Sequence, residues 1–225
     1  MASRGNQIEP RRPAPRIYLV TPPVADPAGL KNALASALDA GDVAAVLVQL
    51  TATDDRTMIN RVKVLAPIVQ GKGAALLVDG HPEIVARAGA DGAHMTGVAA
   101  LAEALALLKP ARIAGCGGLA SRHDAMVAAE SGADYVMFGE PDEDAHRPSF
   151  EAVLDRVAWW AEVFEIPCVG FAASVEETEQ LAAAGADFVA LGEFVFLDSR
   201  GAGAMLRDAA ERLAAERLSR PESVK

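Results

Sequence analysis

Apolar residues along this chain follow two alternating rhythms. Eight segments are short and almost uncharged: Arg16 to Val20, Ala44 to Gln49, Ala74 to Val78, Gly92 to Met95, Arg112 to Gly115, Tyr135 to Phe138, Cys168 to Phe171 and Phe188 to Leu191. That is the composition of parallel strands buried on both faces. Between them apolar residues recur at helical spacing, as in Leu30, Leu34 and Leu38, or Met58, Val62, Leu65 and Val69. The same spacing appears in Leu101, Leu105 and Leu108 and in Val153, Val157, Trp160 and Phe164, and Met205, Leu213 and Leu218 are read as lying on a final helix. Punctuation agrees with the rhythm. Asp54, Ser121, Ser149 and Ser174 can cap helices, Pro82 suits a first turn, and Glu176 and Glu177 sit where a helix dipole favours negative charge.

One stretch, Ile166 to Phe196, holds a whole strand–helix–strand unit. Its Gly185-Ala186-Asp187 junction repeats at Gly89-Ala90-Asp91 and Gly132-Ala133-Asp134, with a looser copy at Ala40-Gly41-Asp42. The pattern predicts eight strands and eight helices in strict alternation, joined by short links. Such a chain closes as an α/β fold of one domain, a single (β/α)8 TIM barrel over residues 16–219. An Arg- and Pro-rich disordered tail is expected at 1–15 and a second tail at 220–225. An open doubly wound sheet is the rival, but no G-x-G-x-x-G follows the first strand.

Composition narrows the partners. Apolar residues make up 51% of the chain but aromatics only 5%, so the core is built largely from Ala, Val, Leu and Ile. With 21 basic and 31 acidic residues, the net charge of −10 argues against nucleic acid or an anionic membrane as the main partner. A small-molecule ligand is expected instead. No apolar run approaches the roughly 18 residues of a spanning helix, and no apolar signal core follows Arg4, Arg11 and Arg12. Cys116 and Cys168 read as two reduced thiols, which suits the cytoplasm. Trp159-Trp160 reads as one buried and one partly exposed helical residue. An exposed Trp can mark a dimer contact, so a homodimer stays open.

Candidate chemistry gathers at the strand ends. Gly115-Cys116-Gly117-Gly118 reads either as an ordinary tight turn or as a phosphate cradle of backbone N–H groups. Gly192, beside Glu193, lies where barrels of this kind often hold phosphate. His94 is either a packed, hydrogen-bonded interior residue or a ligand contact. Asp79, His81, His94, Glu140 and Glu193 could converge on a divalent metal, against the alternative of separate solvated groups.

In this alignment of strands the chain resembles the thiamine phosphate synthase family, with its TenI-type relatives, from about Ile17 to Phe196. The resemblance is carried by Tyr18-Leu19-Val20-Thr21, Val48-Gln49-Leu50, Ala90-Asp91-Gly92-Ala93-His94, Gly132-Ala133-Asp134-Tyr135-Val136 with Gly139, and Ile166-Pro167-Cys168-Val169-Gly170 with Gly185-Ala186-Asp187. It implies a Mg²⁺-assisted transferase of thiamine biosynthesis. Such an enzyme joins a thiazole phosphate to a hydroxymethylpyrimidine diphosphate and releases diphosphate. It would need cations and a metal on the leaving group, carboxylates for that metal, and backbone amides for the thiazole phosphate. Carried onto this chain, the ligand or phosphate positions are Gln49, Thr51, His94, Cys116, Gly117, Gly118, Gly170 and Gly192. The candidate metal positions, read from this chain's own carboxylates, are Asp79 and Glu140, with Mg²⁺ if the enzyme is active and no cofactor otherwise.

The departures from the family pattern share one direction. The family's Arg-x-Lys after the second strand is Thr51-Ala52-Thr53 here. Its Asn-Asp after the third becomes Asp79-Gly80, moving the carboxylate one residue and so toward the opposite strand face. Gly-Gln-x-Asp becomes Thr96-Gly97-Val98-Ala99, an expected serine becomes Gly117, and Gly-Gly after the seventh strand becomes Ala172-Ala173. The Lys-bearing loop is replaced by Glu140-Pro141-Asp142-Glu143-Asp144, leaving only His146 and Arg147 as cations. The expectation is a barrel that binds a small, thiamine-precursor-like ligand with its diphosphate clamp mostly lost. The alternatives are a working synthase and a non-catalytic, partner-binding barrel.

Overall fold

The computed structural model describes residues 14–142 and 144–219. The expected tails at 1–15 and 220–225 fall outside them, apart from Ala14 and Pro15. Eight parallel strands pair in sequence order and close on themselves, each followed by a helix. They are β1 (Arg16–Val20), β2 (Val43–Val48), β3 (Ala75–Asp79), β4 (Gly92–Thr96), β5 (Ile113–Gly117), β6 (Tyr135–Phe138), β7 (Cys168–Ala172) and β8 (Phe188–Leu191). The helices are α1 (Pro27–Ala40), α2 (Asp55–Gln70), α3 (Pro82–Ala88), α4 (Val98–Leu108), α5 (Arg122–Ser131), α6 (Phe150–Val163), α7 (Val175–Ala183), α8 (Phe194–Leu197) and α9 (Ala202–Ser219). The fold is the expected (β/α)8 barrel, with one addition. The four-residue α8 interrupts the link from β8 to α9, and its length is too short to leave a helical rhythm in the sequence.

The Gly-Ala-Asp junctions have one physical job. Gly89, Gly132 and Gly185 end α3, α5 and α7 at positive φ (75°, 111° and 98°), which a side chain would strain. The Asp two residues later then grips the strand before it with both backbone and side chain. Asp91 donates its N–H to the Leu76 carbonyl (2.8 Å) and takes the Leu76 N–H on its carboxylate (2.7 Å). Asp134 does the same to Ala114 (2.8 and 2.7 Å), and Asp187 to Cys168 (3.0 and 2.9 Å). The pairs β3–β4, β5–β6 and β7–β8 are thereby fastened at their starts. The looser copy behaves differently: Asp42 holds β1 through a two-pronged ion pair with Arg16 at 2.7 and 2.9 Å.

Two apolar shells result. The outer one lies between strands and helices and includes Leu19, Val46, Leu76, Val136, Cys168 and Leu191. The inner one fills the barrel with Tyr18, Val20, Leu47, Leu77, Tyr135, Met137, Val169 and Phe171. Gly115 makes room for it, since a side chain there would enter the Tyr135 ring. Trp160 is fully buried, stacks on Phe164 at 4.1 Å and donates to the Ile166 carbonyl at 2.7 Å, while Trp159 is only half-buried. Cys116 and Cys168 are buried and unbridged, with Val136 between them in the register. No helix among the described residues is long and apolar enough to cross a membrane.

The Asp clamp makes a direct prediction. Asp91→Ala leaves the Leu76 N–H without its acceptor and is expected to cost about 1–3 kcal/mol. Asp91→Asn keeps an acceptor and should cost less. Urea midpoints of the two variants check this, and equal midpoints would rule the clamp out.

Candidate active site

Strand parity decides which side chains reach the mouth, at the C-terminal ends of the strands. On β3 the residues Ala75 and Leu77 belong to the inner shell, so Asp79 also faces inward. This corrects the expectation that its one-residue offset would turn it away. The Gln49 side chain, just beyond β2, donates to the Asp79 carboxylate at 3.3 Å, and its backbone N–H rests on the buried Thr21 hydroxyl at 3.2 Å.

His94 is paired with Asp79 in the β3–β4 register and is buried. Its Nδ1 lies 2.9 Å from the Tyr135 hydroxyl, which lies 2.8 Å from the Tyr18 hydroxyl. A buried chain of three polar groups thus crosses the inside of the barrel and fixes the imidazole. Burial pushes the His94 pKa down, against an opposing pull from Asp79, so the ring is neutral near pH 7. Burial likewise raises both tyrosines, keeping them as phenols.

Gly117 closes this corner. It pairs with Thr96, which is why β5 runs two residues longer than the apolar pattern indicates. A methyl group at Gly117 would lie 2.6 Å from His94 Nε2 and closer still to the Glu140 carboxylate. Those two side chains therefore converge over the same glycine. The Glu140 carboxylate also accepts the Gly118 N–H. Burial pushes the Glu140 carboxyl up to about 7; the Gly118 amide opposes the shift and the charge of Asp79 adds to it.

Other expected positions lie elsewhere. The thiol of Cys116 belongs to the outer shell and points at the helices, because its parity is opposite to that of Gly115 and Gly117. Gly170 also faces outward, where a side chain would strike Leu181 of α7. Gly192 lies beneath the Phe171 ring, 2.9 Å from where its side chain would begin. Thr51 is exposed, and its carbonyl takes the Arg61 guanidinium at 2.7 Å.

The five-residue metal cluster is not formed. His81 turns to Glu83 (3.1 Å) and Glu193 is exposed at the start of α8, so only Asp79, His94 and Glu140 act on one another. Among the described residues no group of three His, Cys, Asp or Glu could hold a metal ion.

The two expected cations are also committed. His146 is 80% exposed and lies 3.7 Å from Asp142. Arg147 donates through Nε to the Gly139 carbonyl (3.2 Å), through Nη2 to the Phe171 carbonyl (3.2 Å) and through Nη1 to both Glu177 oxygens (3.0 and 3.2 Å). The sequence names Tyr18 and Tyr135 as part of the family resemblance and Glu177 as a favourable charge in a first helical turn, but none of them as a site residue. The parity of β1 and β6 carried a signal for the tyrosines, whereas nothing local pairs Glu177 with Arg147.

A closed eight-stranded barrel whose polar side chains meet at the strand C-termini presents a candidate site of the α/β-barrel class. The family model described as thiamine monophosphate synthase matches residues 17–195, and the chain belongs to that family, with TenI. A thiamine-phosphate synthase of Rhodospirillum centenum is 39% identical over 196 residues, spanning 86% of this chain and 95% of the relative. One from Hyphomonas neptunium is 33% identical over 204 residues, spanning 87% and 92%. Among solved structures, thiamine phosphate pyrophosphorylase from Pyrococcus furiosus superposes with a TM-score of 0.73 at 19% identity, covering 91% of this chain and 98% of its own. The 3-hexulose-6-phosphate synthase of Salmonella typhimurium gives 0.70 at 16% identity, covering 89% and 99%. Both structural likenesses speak for the fold.

Glu140 provides a pH test. Its carboxyl binds a proton more tightly in the folded chain than at the ordinary value of 4.5, so its contribution to stability is full below 4.5 and is lost as pH rises through about 7. Urea unfolding across that range should show wild type losing stability relative to Glu140→Gln as pH rises. A constant difference between the two would contradict the burial of this carboxyl.

Proposed function

We propose that this chain is a thiamine phosphate synthase-type barrel that binds a small, uncharged or cationic, thiamine-precursor-like ligand, with the diphosphate-releasing reaction impaired or absent. The observation that carries the reading is the Glu140 carboxyl seated on the Gly118 amide with Asp79 acting on it, while the Arg156 guanidinium that also acts on it is bonded to the Leu119 and Ala120 carbonyls. A leaving diphosphate needs positive charge where its own negative charge develops. Here the mouth carries Asp79 and Glu140, whose carboxyl is raised to about 7 and so is charged above that pH. Like charges about 4 Å apart cost roughly 4 kcal/mol at an effective dielectric constant of 20.

The same groups suit a different guest. Asp79, steadied by Gln49, can accept hydrogen bonds from an amino-substituted heterocycle, and neutral His94, held by Tyr135, offers a fixed ring nitrogen. Mg²⁺ would supply charge neutralisation on a diphosphate, but it prefers six oxygens, usually one or two carboxylates completed by substrate phosphates and water. Asp79 is engaged by Gln49, and Glu140 by the Gly118 amide, with a carboxyl raised to about 7. This donor set does not fit a resident Mg²⁺. The reading places the protein in the cytoplasm as a small-molecule binder.

A second reading, a working synthase, is favoured by the 39% identity to a relative of that name and by the inward face of Asp79. A coupled assay separates the two. With hydroxymethylpyrimidine diphosphate, thiazole phosphate and Mg²⁺, turnover is expected to fall at least about 100-fold below that of the Rhodospirillum centenum relative, the scale of losing one charge-stabilising donor. Comparable turnover that Asp79→Ala abolishes would establish the synthase instead.

A further inference from the structure

We propose that Glu177 is a specificity residue: its carboxylate fills an anion cradle built from Arg147 and the start of α7, and so bars phosphate-bearing ligands from this side of the mouth. The proposal rests on the reading that the mouth takes a ligand without diphosphate, and it adds the residue that enforces this at the ends of β6 and β7.

The cradle has three parts. The Ala173 N–H, one residue past β7, donates to Glu177 Oε2 at 2.8 Å. The Arg147 guanidinium meets both oxygens at 3.0 and 3.2 Å. The N-terminal turn of α7 adds its dipole, and its cap residue Ser174 makes no side-chain cap bond. A guanidinium N–H, a backbone amide and a helix start are groups that proteins use to hold a phosphate group. Here the anion they hold belongs to the chain.

Helix capping explains part of this contact, since a glutamate in the first turn commonly reaches back to a preceding N–H. It does not explain the arginine. Arg147 comes from 30 residues away, and its remaining donors go to the Gly139 and Phe171 carbonyls at the ends of two strands. These bonds orient it toward Glu177 before any ligand arrives. The pair is mostly shielded, with side-chain exposures of 21% for Arg147 and 18% for Glu177. A half-buried, pre-oriented arginine whose carboxylate is removed becomes an unpaired charge, and it will recruit an anion from solution.

The test is calorimetry of the full-length chain with inorganic phosphate and, separately, inorganic diphosphate. Glu177→Ala should bind phosphate at least tenfold more tightly than wild type, and the gain should disappear in the double variant Glu177→Ala with Arg147→Ala. Glu177→Gln keeps the shape of the side chain while removing its charge, so it serves if Glu177→Ala proves unfolded by circular dichroism. Folded variants that bind phosphate no better than wild type overturn the proposal, as does a gain that survives loss of Arg147. The coupled assay on wild type is read independently. Synthase turnover there sinks the broader reading, whereas no turnover together with equal phosphate affinity in wild type and variants sinks only this inference.

Discussion

Three carboxylates at the floor of the barrel hold its strands in pairs. Asp91, Asp134 and Asp187 each exchange two hydrogen bonds with the first residues of the preceding strand, one through backbone and one through side chain. A strand start inside a closed barrel has polar backbone groups that water reaches poorly, and leaving one unpaired costs about 1–3 kcal/mol. The aspartates remove that cost and set the register at the same time. Register then fixes strand parity, and parity selects every side chain that reaches the mouth. The functional face at one end of the molecule is therefore decided partly by charges at the other end.

Space inside the barrel is allocated by glycines. Gly115 yields its volume to the Tyr135 ring, which lets the Tyr18–Tyr135–His94 chain form. Gly117 yields to His94 and Glu140 together. A larger residue at Gly117 would drive the carboxylate off the Gly118 amide. The bare Gly117 and the seat of Glu140 on Gly118 thus depend on one another, joining two loops 22 residues apart.

The electrostatics of the mouth are self-contained. Asp79 is answered by Gln49, Glu140 by Gly118, Glu177 by Arg147 and Ala173, and Thr51 by Arg61. Each hydrogen-bonded acid or cation that could meet a phosphate already has a partner from the same chain. Family membership, established by the match over residues 17–195, accounts for the scaffold.

The barrel could be read from the sequence because its causes are local. Eight uncharged runs, helical spacing between them and a repeated Gly-Ala-Asp stop are properties of neighbouring residues, and the one missed element, α8, is too short to carry a period. Local reading also identified Asp79, His94 and Glu140, which the structure brings together, because polar residues at strand ends stand out against apolar runs. It misjudged the direction of Asp79 and did not give the facing of Cys116 and Gly170, since an offset of one residue reverses a strand face and only closed pairing fixes the offset. It could not reach the commitment of Arg147 to Glu177, 30 residues away. The sequence by itself determined the barrel and the acidity of its mouth. Only the tertiary structure decided which acids face the mouth and which are bonded to the protein's own amides and cations, because those partners meet through the closure of the sheet and not along the chain.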